Sequence, residues 1–414
     1  MIVNADGESN MQVRILPKVA QVSTAGQRAR QICGAGRRLG NLIVALLCCG
    51  AAAQGMARAQ RPEVHPDLRV TFRFRAPNAK EVFLVREGAA RLPMQKDGQG
   101  VWSVTTDPLE PDLYGYSFVA DGVGLMDPTN PLIKPNLLGP QSVVYVPGPA
   151  TLPWEITPVP HGAIDHHFYR STVIGDERDF YVYTPPGYDP RAGKRYPVLY
   201  LLHGYSDDAS GWTAVGRAHI ILDNLIAQGK AKPMVVVMPL GYGAPEIVMG
   251  NGSGRRDPGI GQRNFDKFTQ ALISEVIPEV EKSYRVIKDR NARAITGLSM
   301  GGGESLTTGL NHLDTFAWIG SFSGAVIMAG NDYPKLFPTL DSRSGSRIRL
   351  LWIACGTDDG LLAPNRKFEE WLKSKGTPFT QIETPGAHTW MVWRRNLANF
   401  VPLLFQEKSS SARL

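Results

Sequence analysis

Cysteine is scarce in this chain of 414 residues: there are four, and Cys33, Cys48 and Cys49 all fall before residue 50. Cys355 is alone in the remainder, which excludes an intramolecular disulfide framework there. Its place in the apolar run 349–355 reads as a small core hydrophobe, not a reactive thiol. No hydrophobic run approaches the roughly 20 residues that a membrane-spanning helix needs. Excess charge is also missing from most of the chain. The formal net charge is +7, but residues 1–59 hold seven basic and two acidic side chains, leaving 38 basic and 36 acidic elsewhere. That near-balance excludes a nucleic-acid footprint. Metal-ligand spacing is absent too, since the group His161, Asp165, His166 and His167 fits no standard site, and no phosphate-cradling glycine loop opens a helix. No metal and no cofactor is expected.

The basic N-terminal part has its own reading. Arg28, Arg30, Arg37 and Arg38 precede the apolar segment 42–49, which is followed by Ala57-Arg58-Ala59. This is the pattern of an export leader, 1–59, cleaved after Ala59. A periplasmic or secreted protein with no stable membrane insertion follows. Residues 64–148 alternate apolar and polar in short runs (68–75, 81–85, 101–104, 114–119) broken by Pro-Asn, Asp-Gly and Asp-Pro, which predicts a small antiparallel β-sandwich. Trp102 and Tyr116 read as its core, although either ring is of a type that stacks on sugars. The domain is expected to be a spacer or a wall of the cleft. Residues 149–164 are proline-rich and read as a stiff linker. From 165 to 408 strand and helix signals alternate, predicting a mostly parallel sheet covered by helices on both faces. The apolar stripe from Phe265 to Tyr284 predicts a core-packing helix interrupted at Pro278, and the glycine-rich stretch 241–261 a loop near the substrate.

Within that last part Ser299 sits in Gly297-Leu298-Ser299-Met300-Gly301, after the run 292–296 and before a small-residue stretch able to start a helix. A strand reversing sharply into a helix strains the residue at its turn, and flanking glycines let backbone pass close by; this is a nucleophile elbow. Serine needs a base, and the base a carboxylate to hold its tautomer. His388, after the strand-like run 379–384, is placed to serve, whereas His312 reads as a solvated loop histidine. Between elbow and base, the strand 349–355 leads into Gly356-Thr357-Asp358-Asp359-Gly360. Spacing alone does not separate Asp358 from Asp359; Asp359 is favoured. The oxyanion donors are expected to be the backbone N–H groups of Met300 and of Tyr205, the latter in the loop after the buried strand 197–202. His203 reads as a structural residue of that loop. Trp212 and Trp390 are candidate pocket walls or core.

The segments Tyr183-Thr184-Pro185-Pro186-Gly187-Tyr188, Leu201-Leu202-His203-Gly204, Gly297-Leu298-Ser299-Met300-Gly301-Gly302, Cys355-Gly356-Thr357-Asp358-Asp359 and Gly386-Ala387-His388-Thr389-Trp390 resemble the esterase family of feruloyl, acetyl xylan and enterochelin esterases and mycolyltransferases. The likeness covers about residues 165–405. It implies an α/β-hydrolase fold, Ser299 as nucleophile, His388 as base, Asp359 as orienting carboxylate, and oxyanion amides at Tyr205 and Met300. The segment 64–148 resembles the immunoglobulin-like domains that precede some catalytic domains of this kind. The resemblance implies ester hydrolysis and does not fix the acyl group or the alcohol; the triad, the export leader and the carbohydrate-enzyme type of leading domain together point to feruloyl or acetyl esters of plant cell-wall polysaccharide. A siderophore ester, or a binding role on a retired scaffold, stand as alternatives.

Overall fold

The computed structural model describes residues 61–249, 257, 259–324, 326, 330, 332–341 and 343–406. The expected leader 1–59 lies outside the described residues.

Two antiparallel sheets form the first part. One runs Glu63–Val64, Val70–Arg75, Val101–Thr105, Gln95–Lys96. The other runs Leu92–Pro93, Val82–Arg86, Asp112–Ala120, Gln141–Val146, Ile133–Lys134, with Val123–Leu125 added to the third. Alternation turns one side chain in two inward, so Phe72 and Phe74 from the first sheet meet Tyr116 and Phe118 from the second, with ring centroids 4.8 and 4.6 Å apart. Trp102 joins this core and donates its ring N–H to the Ala76 carbonyl. Both rings that could have stacked on a sugar are therefore buried.

Strand Asp112–Ala120 is covered on both sides. Tyr114, Tyr116 and Phe118 face the sandwich interior, whereas Leu113, with Val143 and Trp154, belongs to the core of the following α/β part. The two parts thus share apolar packing, and a spacer is not what this region forms. A wholly buried ion pair fixes the junction: Arg394 donates to Asp112 from Nε (2.9 Å) and Nη2, and to the carbonyls of Leu113 and Val215 at 2.8 Å each. The proline-rich stretch also packs, since Trp154 and Glu155 are buried and Asn224 Nδ2 donates to the carbonyls of Pro153 and Glu155.

An eight-stranded sheet forms the α/β part, in the order Ala163–Arg170, Glu177–Thr184, Val235–Pro239, Val198–Leu202, Arg293–Gly297, Trp318–Phe322, Leu350–Gly356, Thr380–Thr384. The first two strands are antiparallel additions; from Val235–Pro239 onward all pairs are parallel. Apolar runs such as Val-Leu-Tyr-Leu-Leu are required because both faces are covered. Val198, Tyr200 and Leu202 pack with residues of helices Ile260–Ala271 and Ser299–Asn311; Leu199 and Leu201 pack with residues of Ala218–Ala227 and Trp390–Phe400. The predicted helix over 265–284 is Ile260–Ala271, a π-helical turn Leu272–Val276 and Ile277–Ser283. Pro278 falls in the first turn of the last piece, where a missing N–H is tolerated. The stretch 241–261 is described only in part, with a short helix Glu246–Met249.

Candidate active site

Ser299 stands at the end of strand Arg293–Gly297, one residue past Leu298, and opens helix Ser299–Asn311. Its φ is +50°, a left-handed conformation that a serine holds only when its surroundings impose it. Close backbone approach imposes it here. A Cβ on Gly297 would lie 2.6 Å from the Gly301 carbonyl oxygen, one on Gly301 would overlap the His203 carbonyl, and one on Gly204 would lie 3.3 Å from the Ser299 Cβ. Strands Val198–Leu202 and Arg293–Gly297 pair with Leu202 opposite Gly297, so the loop with Tyr205 and the turn with Met300 emerge side by side.

The other side chains arrive from the next loops. Asp359 follows strand Leu350–Gly356, and His388 follows strand Thr380–Thr384. The Asp358 N–H donates to the Gly386 carbonyl at 3.0 Å and Thr357 N–H to the Thr384 carbonyl, which joins the two loops. His388 Nε2 lies 2.9 Å from Ser299 Oγ, and His388 Nδ1 lies 2.8 Å from Asp359 Oδ2. Asp359 is buried and Asp358 exposed, so spacing left open what geometry separates: only Asp359 meets the imidazole. His312 caps the C-terminus of helix Ser299–Asn311, and no bond is seen between it and this group.

A model of the Esterase family matches residues 171–404, more than half of the chain. The chain belongs to this family. This esterase-family chain is 31% identical over 356 residues to an endo-1,4-beta-xylanase/feruloyl esterase of Xylanibacter ruminicola, covering 83% of its own length and 46% of the relative. It therefore spans about half the length of that relative. Among solved structures it is similar to a ferulic acid esterase from Anaeromyces mucronatus, 25% identical with a TM-score of 0.54, covering 62% of this chain and 96% of that one. An enterobactin esterase from Shigella flexneri gives a TM-score of 0.59 at 19% identity over 81% of this chain and 92% of that one, a likeness of fold. The α/β-hydrolase architecture expected from the sequence is the one observed.

Around the candidate site, charge is set by burial and hydrogen bonding. Burial would raise the Asp359 carboxyl, but hydrogen bonds from His388 and the Leu361 N–H (2.8 Å), aided by the Ser323 hydroxyl, outweigh it and hold it below the ordinary carboxylate value. The carboxylate stays ionised and can stabilise a charged imidazole. His203 is buried and lies across the Tyr205 loop: Nδ1–H donates to the Gly204 carbonyl and Nε2 accepts the Gly241 N–H, both at 2.8 Å. Burial pulls its pKa down to about 4. Trp212 and Trp390 are fully buried, with ring centroids 5.1 Å apart, and Trp212 Nε1–H donates to the Leu202 carbonyl. They pack behind the site rather than line it. The histidine group at 161–167 disperses, with His161 on Asp223, His166 on Asp179 and His167 on Tyr284.

Two residues near the site carry no sequence signal. Ser323, just past strand Trp318–Phe322, has φ +52°, accepts from Trp393 Nε1–H at 3.2 Å, and its hydroxyl helps lower the Asp359 carboxyl. Trp393 in turn meets the His388 ring edge-on at 4.8 Å. Asn136, from the sandwich part, donates to Ser206 Oγ (2.8 Å) and Asp207 Oδ1 (3.2 Å), beside Tyr205.

Proposed function

We propose that this chain is an exported serine carboxylic-ester hydrolase acting through an acyl-enzyme. The observation that carries the reading is the unbroken hydrogen-bonded line from Ser299 Oγ through His388 to the ionised Asp359. His388 Nε2 takes the hydroxyl proton as Ser299 Oγ attacks the ester carbonyl. The N–H groups of Met300 and Tyr205 receive the oxyanion, and stabilising it there lowers the barrier more than it stabilises the bound ester. Collapse expels the alcohol, protonated by His388. Water, deprotonated by the same nitrogen, then releases the acid and restores Ser299. Asp359 keeps Nδ1 protonated and offsets the imidazolium charge throughout.

Feruloyl or acetyl groups on plant cell-wall polysaccharide are the substrates this reading favours. It rests on the similarity to a xylanase/feruloyl esterase and a ferulic acid esterase, together with the export pattern at 28–59. The near-neutral charge after residue 59 speaks against a polyanionic partner. Two measurements test it. A fluorophosphonate should label the wild type and not Ser299→Ala; no labelling of either ends the enzymatic reading. A panel of methyl ferulate, acetylated xylan, 4-nitrophenyl acetate and a catecholate triester should show turnover of the first two. Turnover of the catecholate triester alone would replace the cell-wall assignment with a siderophore ester.

A further inference from the structure

Helix Trp390–Phe400 begins two residues after His388, and its first turn has no local cap. Thr389 is in the N-cap position with an extended backbone and makes no side-chain capping bond. Four N–H groups at a helix start need partners, and an anion there is favoured by the helix dipole. The partner comes from the sandwich. Glu87, in the turn after strand Val82–Arg86, accepts the Trp390 N–H on Oε1 at 2.9 Å and the Gly115 N–H on Oε2 at 3.2 Å. Its own N–H donates to the Gly115 carbonyl at 2.8 Å, so both the backbone of Glu87 and one oxygen of its carboxylate are anchored to Gly115 on strand Asp112–Ala120. Its side chain is 9% exposed, and Lys134 Nζ stands 3.9 Å away. Further along the same helix, Arg394 is locked to Asp112 on that strand.

We propose that Glu87 is a positioning residue for His388: it caps, from the preceding sandwich, the helix that starts beside the imidazole, and so sets where Nε2 stands relative to Ser299. The proposal rests on the serine-hydrolase reading above. His388 lies in a loop containing Gly386 at φ +118° and is held on one side by Asp359 and on another by the edge of Trp393, which is on the same helix. Without the Glu87 bond the Trp390 N–H is buried and unpaired, and the first turn must shift to reach water. Trp393, one turn on, shifts with it. A displacement of this kind changes proton transfer while leaving substrate contacts alone, because small errors in placing reacting groups are costly.

The test compares Glu87→Ala, Glu87→Gln and, as a control, Val70→Ala, which removes methyl groups from the sandwich core and leaves the Glu87–Trp390 bond in place. Each full-length protein is assayed for kcat and KM on 4-nitrophenyl acetate, with the thermal midpoint recorded. Expected is a kcat loss of about tenfold or more for Glu87→Ala with KM within twofold of wild type. Glu87→Gln, whose amide oxygen can still accept from Trp390 while its NH2 group meets the Gly115 N–H, should recover part of that loss, and Val70→Ala should lower the midpoint without lowering kcat. If Glu87→Ala does not fold, Glu87→Asp, which withdraws the carboxylate by one methylene, should show the same kcat loss. Wild-type kcat in Glu87→Ala (or in Glu87→Asp where that variant stands in), no recovery by Glu87→Gln, or an equal kcat loss in Val70→Ala overturns the proposal. A wild type that hydrolyses no ester overturns the hydrolase reading and this proposal together; an active wild type with an unaffected Glu87→Ala overturns this proposal alone.

Discussion

Asp359→Asn is the substitution whose outcome the geometry constrains most tightly. Oδ2 accepts from His388 Nδ1–H and Oδ1 accepts from the Leu361 N–H, each at 2.8 Å, in a side chain that is 1% exposed. An amide supplies one acceptor and one donor to two positions that both require acceptors. If the NH2 group faces His388, the imidazole must move its proton to Nε2, and the nitrogen beside Ser299 can no longer act as a base. If the NH2 group faces Leu361 instead, two donors meet in a buried turn and the negative charge that stabilises imidazolium is gone. In the serine-protease template the first outcome lowers kcat by about 10⁴, equivalent to about 5 kcal/mol of barrier. We expect a loss of that order in kcat on 4-nitrophenyl acetate with KM little changed and the fold retained. Asp358→Asn provides the internal control, because only its backbone N–H is engaged and its side chain is exposed. An Asp359→Asn enzyme within tenfold of wild type, or an Asp358→Asn enzyme equally impaired, would refute the assignment.

The remaining predictions concern the supports of the site. Ser323→Gly relieves a left-handed serine but deletes a hydroxyl that lowers the Asp359 carboxyl and accepts from Trp393, so the thermal midpoint should hold or rise while kcat drops about tenfold; wild-type kcat would show that the hydroxyl is idle. His203 takes up its proton near 6.5 when unfolded and about 4 when folded, so between those values the unfolded state binds more protons and stability is lost as pH falls. Urea titrations should show up to about 3 kcal/mol of this loss, and a comparable loss in His203→Gln would trace it elsewhere. Asp112→Ala strands the Arg394 guanidinium in a fully buried site and should destabilise the chain by about 3–5 kcal/mol in urea; a change below 1 kcal/mol would show that water reaches the junction.

What the sequence reveals and what it hides differ in range. The elbow is legible because its requirements are local: glycines two residues either side of Ser299 and a strand before it. The sheet is legible for the same reason, as 197–202, 234–238 and 349–355 are runs too apolar for anything but a strand covered twice. Glu87 is not legible. It lies in Arg86-Glu87-Gly88, which reads as an ordinary polar turn, and its partner Trp390 is 303 residues away. Nor is Ser323, since Ser321-Phe322-Ser323-Gly324 looks like any strand end until the positive φ is seen. Trp212 and Trp390 mislead in the opposite sense, because large rings beside site motifs suggest walls, yet packing edge to face fills the space behind the elbow. The proline-rich stretch 149–164 suggests a stiff linker, but Trp154 within it finds a core to enter.

Of the three left-handed serines among the described residues, Ser206 lies beside Tyr205, and the other two lie at the carboxyl ends of neighbouring parallel strands, Ser299 after Arg293–Gly297 and Ser323 after Trp318–Phe322. Each conformation costs about 1–2 kcal/mol relative to a relaxed backbone, a noticeable share of the roughly 5–15 kcal/mol by which a domain is stable. A chain selected for packing alone would place glycine at both positions. Glycine instead occupies the positions around them: a Cβ on Gly302 would lie 2.9 Å from the Gly324 Cα, and one on Gly320 would lie 2.5 Å from Thr296 Oγ1. The small residues therefore bring the two strand ends close enough that the serines are held in place despite their strain. What Ser299 and Ser323 have in common is a hydroxyl that acts on the line from Ser299 to Asp359, one as its first member and the other by helping to lower the Asp359 carboxyl. At these two strand ends strain is kept where the proposed chemistry needs a hydroxyl and removed by glycine beside it, the distribution expected of a site that moves a proton along fixed bonds.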